Sequence, residues 1–333
     1  MIKYNQVAVV GAGSWGTALA HLASQNCEAV TLIPRSEEMA RQINDSRQNP
    51  KYLTDLTLSE NVQAVADLTK AVQAEVIILG VPTSAIRNTA NLLSEAGLAP
   101  STVLVSVAKG IERGSGKRMT EIIQEVLPEN PVAVLSGPNH AEEVALDLPT
   151  CTVIGCIDEE VSSSLQSLLA SQTFRSYTSQ DLVGIEWGGA MKNIFAIAAG
   201  ISNGLNLGDN AMAALVTRAL AEMTRIGIEF GAQPETFAGL SGVGDLMTTC
   251  YSHHSRNHRV GLALAQGMTV DQACDQLGMV AEGVRNTQSI YEQTQARGLD
   301  VPLIQAVYLV IYQGVSPEVA IQGLFTRELK PEH

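Results

Sequence analysis

The stretch Val7-Ala-Val-Val-Gly11-Ala-Gly13-Ser-Trp-Gly16-Thr-Ala-Leu-Ala constrains this chain more than any other. An apolar, β-branched run ends directly on a GxGxxG spacing, and a helical pattern begins within it. Gly11 permits a tight turn, Gly13 lets backbone amides approach a pyrophosphate, and Gly16 lets the helix lie close to the strand. The start of that helix adds its free amides and positive dipole end. The spacing therefore predicts a dinucleotide site on the first strand–helix unit of a Rossmann-type sheet, with Gly11, Gly13, Ser14, Trp15 and Gly16 at the turn.

The same alternation of strand and helix continues through the first half of the chain. Strands are expected at Val7–Val10, Ala29–Ile33, Val76–Leu79, Thr102–Val107 and Val132–Leu135, with Cys151–Ile157 and Thr173–Tyr177 able to extend the sheet around a helix at Glu159–Ala170. The runs are continuous rather than alternating, as in strands covered on both faces. From Asp181 onward, Ala-, Leu- and Met-rich periodic stretches take over, at Gly184–Ser202, Ala211–Phe230, Arg259–Gln266 and Ala281–Gly298. The expected class is α/β: an N-terminal Rossmann-type doubly wound parallel sheet in residues 1–180, then an all-helical substrate-binding domain in residues 181–333.

Composition bears on partners. Subtracting 34 acidic from 21 basic side chains leaves a net charge of −13 in 333 residues. That sign repels nucleic acid and anionic membranes, while a local basic pocket can still hold a small phosphate. No apolar run reaches the length of a bilayer span or has the form of a secretory signal. Five scattered cysteines without a CxxC pattern are those of a reducing compartment, so a cytoplasmic location is expected.

Further candidates stand at strand ends and in the helical half. The second strand ends on Pro34-Arg35-Ser36, where NAD-binding chains place a carboxylate for the ribose 2′-hydroxyl. Without a carboxylate, and with a guanidinium present, NADP(H) is expected to be preferred and NAD(H) accepted. Lys109 and the turn Gly137-Pro138-Asn139 follow later strands on the same sheet edge. In Gly184–Gly200, Met191, Ile194, Phe195 and Ala198 form one apolar stripe, and Lys192 falls off it. Its neighbours Gly188, Gly189 and Ala196 are too small to shield it, so another body can approach the ammonium; a Lys desolvated in this way can exchange protons near neutral pH. Asp245 follows a glycine run and is either a helix cap or an anchor for a lysine. Ser255-Arg256-Asn257 supplies a cap, a guanidinium and free amides at one helix start, the parts of a phosphate site. Cys250, His253, His254 and His258 match no zinc spacing, and no metal is expected.

Together, Gly11-Ala-Gly-Ser-Trp-Gly16, Ala108-Lys109-Gly110, Leu135-Ser-Gly-Pro138, Gly188-Gly-Ala-Met-Lys192-Asn193, Gly244-Asp245-Leu and Ser255-Arg256-Asn257 resemble the bacterial NAD(P)-dependent glycerol-3-phosphate dehydrogenases. The resemblance runs from Val7 to about Thr287. It implies reversible reduction of dihydroxyacetone phosphate to sn-glycerol 3-phosphate for phospholipid synthesis, by a homodimer. Lys192 is then the proton donor and acceptor, with Lys109, Asp245 and Thr249 around it. Ser14, Trp15, Arg35, Lys109, Ala141, Arg256, Val280 and Glu282 match cofactor contacts. Lys109, Gly137, Asn139, Lys192, Asn193, Asp245, Ser255, Arg256 and Asn257 match substrate contacts; Asn139 replaces the family's usual Ser or Thr. Other two-domain dehydrogenases, of the 6-phosphogluconate or 3-hydroxyacyl type, and a redox-sensing binding module are the competing readings.

Overall fold

A computed structural model describes residues 2–277, 281–329 and 331–332. The chain divides into two compact units, Met1–Glu112 with Lys117–Glu186, and Arg113–Gly116 with Trp187–His333.

In the first unit the order is β1 (Gln6–Val10), α1 (Ser14–Ser24), β2 (Ala29–Ile33), α2 (Glu37–Ser46), β3 (Val62–Ala64), β4 (Val76–Leu79), α3 (Ile86–Glu95), β5 (Val103–Ser106), α4 (Met119–Val126), β6 (Val132–Ser136), α5 (Ala141–Ala145), β7 (Thr150–Cys156), α6 (Glu159–Leu169) and β8 (Phe174–Ser179). The eight strands form one sheet in the order β3-β2-β1-β4-β5-β6-β7-β8. Its two faces explain the continuous apolar runs. Val7, Val9, Val30, Leu32 and Ile78 pack with Leu19, Leu22, Ile43 and Leu165 on one face, while Ala8, Val10, Ile77, Leu79 and Leu104 pack with Ile86, Leu93 and Ile122 on the other.

Two features depart from the sequence reading. The short β3, Val-Gln-Ala, extends the sheet beyond β2 without any apolar run to announce it. The sheet is also not wholly parallel, because β7 runs antiparallel to β6, with Leu135 opposite Ile154. The connection explains this. Residues 137–149 contain only the five-residue α5, about 8 Å of helix, too short to carry the chain back across the sheet for a parallel return. The longer α6 then makes the crossover that sets β8 parallel to β7.

β1 lies between β2 and β4, with Val10 level with Ile33 and Leu79. The chain thus winds outward in opposite directions from β1, and the crevice of such a sheet opens at the carboxyl ends of these strands.

In the second unit, α7 (Leu182–Gly204), which starts before the division, is followed by α8 (Asp209–Glu229), α9 (Pro234–Phe237), a π turn at Leu240–Gly244, α10 (Asp245–Tyr251), α11 (Arg256–Ala265), α12 (Val270–Leu277), α13 (Glu282–Gln295), α14 (Pro302–Gln313) and α15 (Pro317–Phe325). The single stripe read on α7 is a correction: nearly every residue from Leu182 to Ile201 is buried, on all sides of the helix. Its glycines make this possible. A Cβ on Gly188 would lie 2.6 Å from the Ser241 carbonyl oxygen, and one on Gly200 would lie 2.0 Å from that of His258. No described helix is long and apolar enough to cross a membrane.

Candidate active site

In the first unit the fingerprint glycines each have a distinct local cause. Gly11 has φ +107°, and a Cβ there would meet the Gly80 carbonyl oxygen at 2.5 Å, because the turn crosses the end of β4. A Cβ on Gly16 would stand 1.9 Å from the Gly11 carbonyl oxygen, so only glycine lets α1 pack this near the turn. Gly13 differs, since a Cβ there would have no neighbour within 4 Å. Gly13 is the N-cap of α1 and offers no side-chain cap, and the first turn carries no acidic residue. Open space beside uncapped amides suits a pyrophosphate, so the residues present fit a dinucleotide. Ser14 opens the helix, and Trp15 turns its ring towards Phe174, with centroids 6.5 Å apart.

Arg35 is exposed just beyond β2, and Ser36 caps α2 by accepting the Met39 amide. Glu37 and Glu38 lie in the first turn of that helix, where Glu38 holds Arg41 and Gln42. Past β5, the Lys109 ammonium donates to the Gly137 carbonyl (3.1 Å) and to Asn139 Oδ1 (3.2 Å). Asn139 in turn donates to Thr152 Oγ1 at 2.9 Å, and Thr152 donates to the Ser136 carbonyl. The amide thus ties the turn after β6 to β7 and still accepts from Lys109. Gly137 has φ +148°, where a Cβ would crowd Thr152. Ala141 begins α5 and is buried.

The second unit gathers side chains from distant segments. The Lys192 ammonium forms an ion pair with Asp245 Oδ1, with the two side chains only 8% and 1% exposed. The body that approaches Lys192 past its small neighbours is therefore the chain's own π turn, seated against Gly188, with Asp245 at its end. Thr249 donates to the Asp245 carbonyl at 2.6 Å and lies 3.4 Å from its carboxylate. Cys250 is fully buried, and desolvation pushes its thiol up to about 12, partly offset by Lys192 and reinforced by Asp245. At this value the thiol stays protonated near neutral pH and is not a nucleophile.

Beside this pair, Asn257 Nδ2 donates to Asn193 Oδ1 (2.9 Å), and Asn257 Oδ1 accepts the Gly283 amide (2.9 Å). Ser255 caps α11 by accepting the His258 amide at 3.2 Å, while Arg256 is exposed at the helix start. Buried His258 shares a 2.9 Å hydrogen bond with Asn203. Glu282 is the first residue of α13, and Val280 lies outside the described residues. Gly283 escapes a reading of the sequence because nothing marks it. A Cβ there would lie 2.5 Å from the Asn193 carbonyl oxygen and 2.7 Å from Asn257 Oδ1.

Two family models match the chain: the NAD-dependent glycerol-3-phosphate dehydrogenase N-terminus over residues 6–162 and the C-terminus of the same enzyme over residues 181–322. The chain belongs to the NAD-dependent glycerol-3-phosphate dehydrogenase family. A glycerol-3-phosphate dehydrogenase [NAD(P)+] of Lysinibacillus sphaericus is 46% identical over 331 residues, 98% of each chain. One from Desulfitobacterium hafniense is 43% identical over 327 residues, covering 98% of this chain and 93% of its own. The crystal structure of the Coxiella burnetii glycerol-3-phosphate dehydrogenase superposes with a TM-score of 0.93 at 35% identity, covering 98% of this chain and all of that one. Membership of this family and a Rossmann-type nucleotide unit make the chain an NAD(P)-dependent oxidoreductase.

Proposed function

We propose that this chain reversibly reduces dihydroxyacetone phosphate to sn-glycerol 3-phosphate, with NADPH preferred and NADH accepted. The observation that carries the reading is the buried Lys192–Asp245 pair, set near the start of α11, where Arg256 and Asn257 stand. When bound, the dihydronicotinamide supplies a hydride to the carbonyl carbon. Lys192 gives the carbonyl oxygen its proton and takes it back in the reverse direction. Asp245 orients the ammonium, and Thr249 steadies Asp245. Arg256, the amides at the start of α11 and the side chains of Asn193 and Asn257 hold the phosphate, whose binding energy positions the carbonyl. Lys109 supplies a second cation to substrate and cofactor. The division of labour falls near residue 181, with residues 1–180 binding nucleotide and residues 181–333 binding substrate. The enzyme acts as a cytoplasmic homodimer and feeds phospholipid synthesis.

Following the NADPH absorbance of the purified protein tests this directly. Dihydroxyacetone phosphate should oxidise the cofactor, and dihydroxyacetone should do so far more slowly. Arg256→Ala should lose most of the rate with the phosphorylated ketone and little of the rate with the other. A flat trace with every small phosphorylated ketone would overturn the assignment in favour of a sensor.

A further inference from the structure

Asn49 lies between α2 and β3 and is fully buried, 0% exposed. An amide side chain has two donor hydrogens and two acceptor lone pairs, and here all four are used. Nδ2 donates to the Ala12 carbonyl (3.0 Å) and to Thr17 Oγ1 (2.8 Å). Oδ1 accepts the backbone amides of Lys51 (3.2 Å) and Tyr52 (3.1 Å). Those two backbone donors fix which end of the amide is oxygen, and therefore that the Ala12 carbonyl faces an N–H.

The segment that presents Asn49 is itself held. Arg47, at the end of α2, donates from its guanidinium to the Val62 carbonyl at 2.9 Å and to those of Leu58 and Ser59.

Ala12 sits between Gly11 and Gly13 in the fingerprint turn. The Ala12–Gly13 peptide turns about bonds at Ala12 and Gly13, and at the Gly13 end no Cβ resists the rotation, so a side-chain contact is needed to hold its direction. The Ala12–Gly13 peptide is planar and trans, so its carbonyl and the Gly13 N–H point in opposite directions. Drawing the carbonyl towards Asn49 therefore turns the Gly13 N–H away from residue 49. Rotated the other way, the same peptide would present a carbonyl oxygen to an anion and repel it.

We infer that Asn49 is a positioning residue of the dinucleotide site, which locks the Ala12–Gly13 peptide so that the Gly13 N–H meets the pyrophosphate of the cofactor. Through Thr17 it also fixes the first turn of α1 against the same turn. This concerns the part common to NADH and NADPH, and cofactor binding without ketone measures it, so it stands apart from the proposed substrate.

Asn49→Asp tests it, because the carboxylate still accepts from Lys51 and Tyr52 but places an oxygen against the Ala12 carbonyl. The dissociation constants for NADH and NADPH should both rise about tenfold, the effect of one misdirected hydrogen bond to a charged group. At saturating cofactor, kcat and the KM for the ketone should stay within about twofold, a split that general destabilisation would not produce. Unchanged dissociation constants, a loss confined to NADPH, or a parallel fall in kcat would overturn the assignment. Should that variant fail to fold, Asn49→Ala decides it: both dissociation constants should rise together, with the Gly13 amide resonance shifted less by NADH and by ADP-ribose than in the unaltered protein, and unchanged dissociation constants would contradict the role.

Discussion

At the turn from Gly11 to Gly16, the functional positions are ones where a side chain is missing; at Lys192, Asp245 and Asn257, they are ones where a side chain has been brought in from another segment. The first site is made of backbone amides and empty space, the second of ion pairs and amide hydrogen bonds in a buried setting. The difference teaches how each can be damaged. A backbone site fails when atoms are added, and a side-chain site fails when atoms are removed. On the proposed function it also divides the work, with the sheet edge assigned to the cofactor and the helices to the groups that move a proton.

The largest expected effect is on the helical side. Lys192→Ala should lower kcat by about 10²–10⁴-fold through loss of the proton donor, and by more if stabilisation of the developing alkoxide goes with it. Steady-state turnover at saturating ketone measures this, and more than half the activity remaining would place the chemistry elsewhere.

Buried ionisable groups give the helical unit a second liability, one that pH reveals. Glu222 on α8 accepts the amides of Leu303 and Ile304 at the start of α14, and burial raises its carboxyl from 4.5 to about 7. The folded protein then keeps a proton that the unfolded chain loses between these values. Stability from this group is present below about pH 4.5 and is lost as the pH rises towards 7, by on the order of 3 kcal/mol. Denaturant melts across that window should show the fall, and Glu222→Gln should flatten it; an equal slope in both proteins would contradict the assignment.

Adding atoms to the glycine turn should separate two kinds of harm. Gly16→Ala puts a methyl group into the Gly11 carbonyl and should cost about 1–3 kcal/mol of stability as well as cofactor affinity. Gly13→Ala meets nothing, so stability should stay within about 0.5 kcal/mol while NADPH affinity falls. Thermal melts with fluorescence titration distinguish them. Retained affinity in Gly13→Ala would show that the open space is not where the cofactor lies.

The smallest effect belongs to Arg35, exposed at the rim and screened by salt. Arg35→Ala should raise the KM for NADPH by at most about tenfold and hardly move that for NADH. Ser36→Asp keeps an N-cap for α2 and should shift the preference further towards NADH. An unchanged ratio of kcat/KM values in Arg35→Ala would show that its guanidinium serves no phosphate.

The same contrast explains what the sequence made legible. The glycine turn is contiguous, and its spacing could be read directly. Strands such as Val76–Leu79 were readable because helices cover both their faces. β3 has too few residues to form a pattern, and the reversal of β7 is written in the length of its connection rather than in the strand. α14 was missed because Val-Tyr-Leu-Val-Ile-Tyr is as rich in β-branched and aromatic residues as a strand. Lys192 and Asp245 stand 53 positions apart. Each stands out alone, Lys192 by its small neighbours and Asp245 as a cap or an anchor for a lysine, and the resemblance to a family is what joins them in one site. The bracing residues Asn49 and Gly283 carry no local signal, since their roles arise only from the atoms packed against them.

Titrating NADPH onto Lys192→Ala and Gly13→Ala side by side, then measuring the rate of hydride transfer to dihydroxyacetone phosphate at saturating cofactor, tests the division most directly. Lys192→Ala should bind NADPH as the unaltered protein does and transfer hydride at least about a hundredfold more slowly. Gly13→Ala should bind weakly and, once saturated, react at close to the normal rate. If both variants instead lose affinity and rate in the same proportion, the two sites do not divide binding from chemistry, and the central claim is wrong.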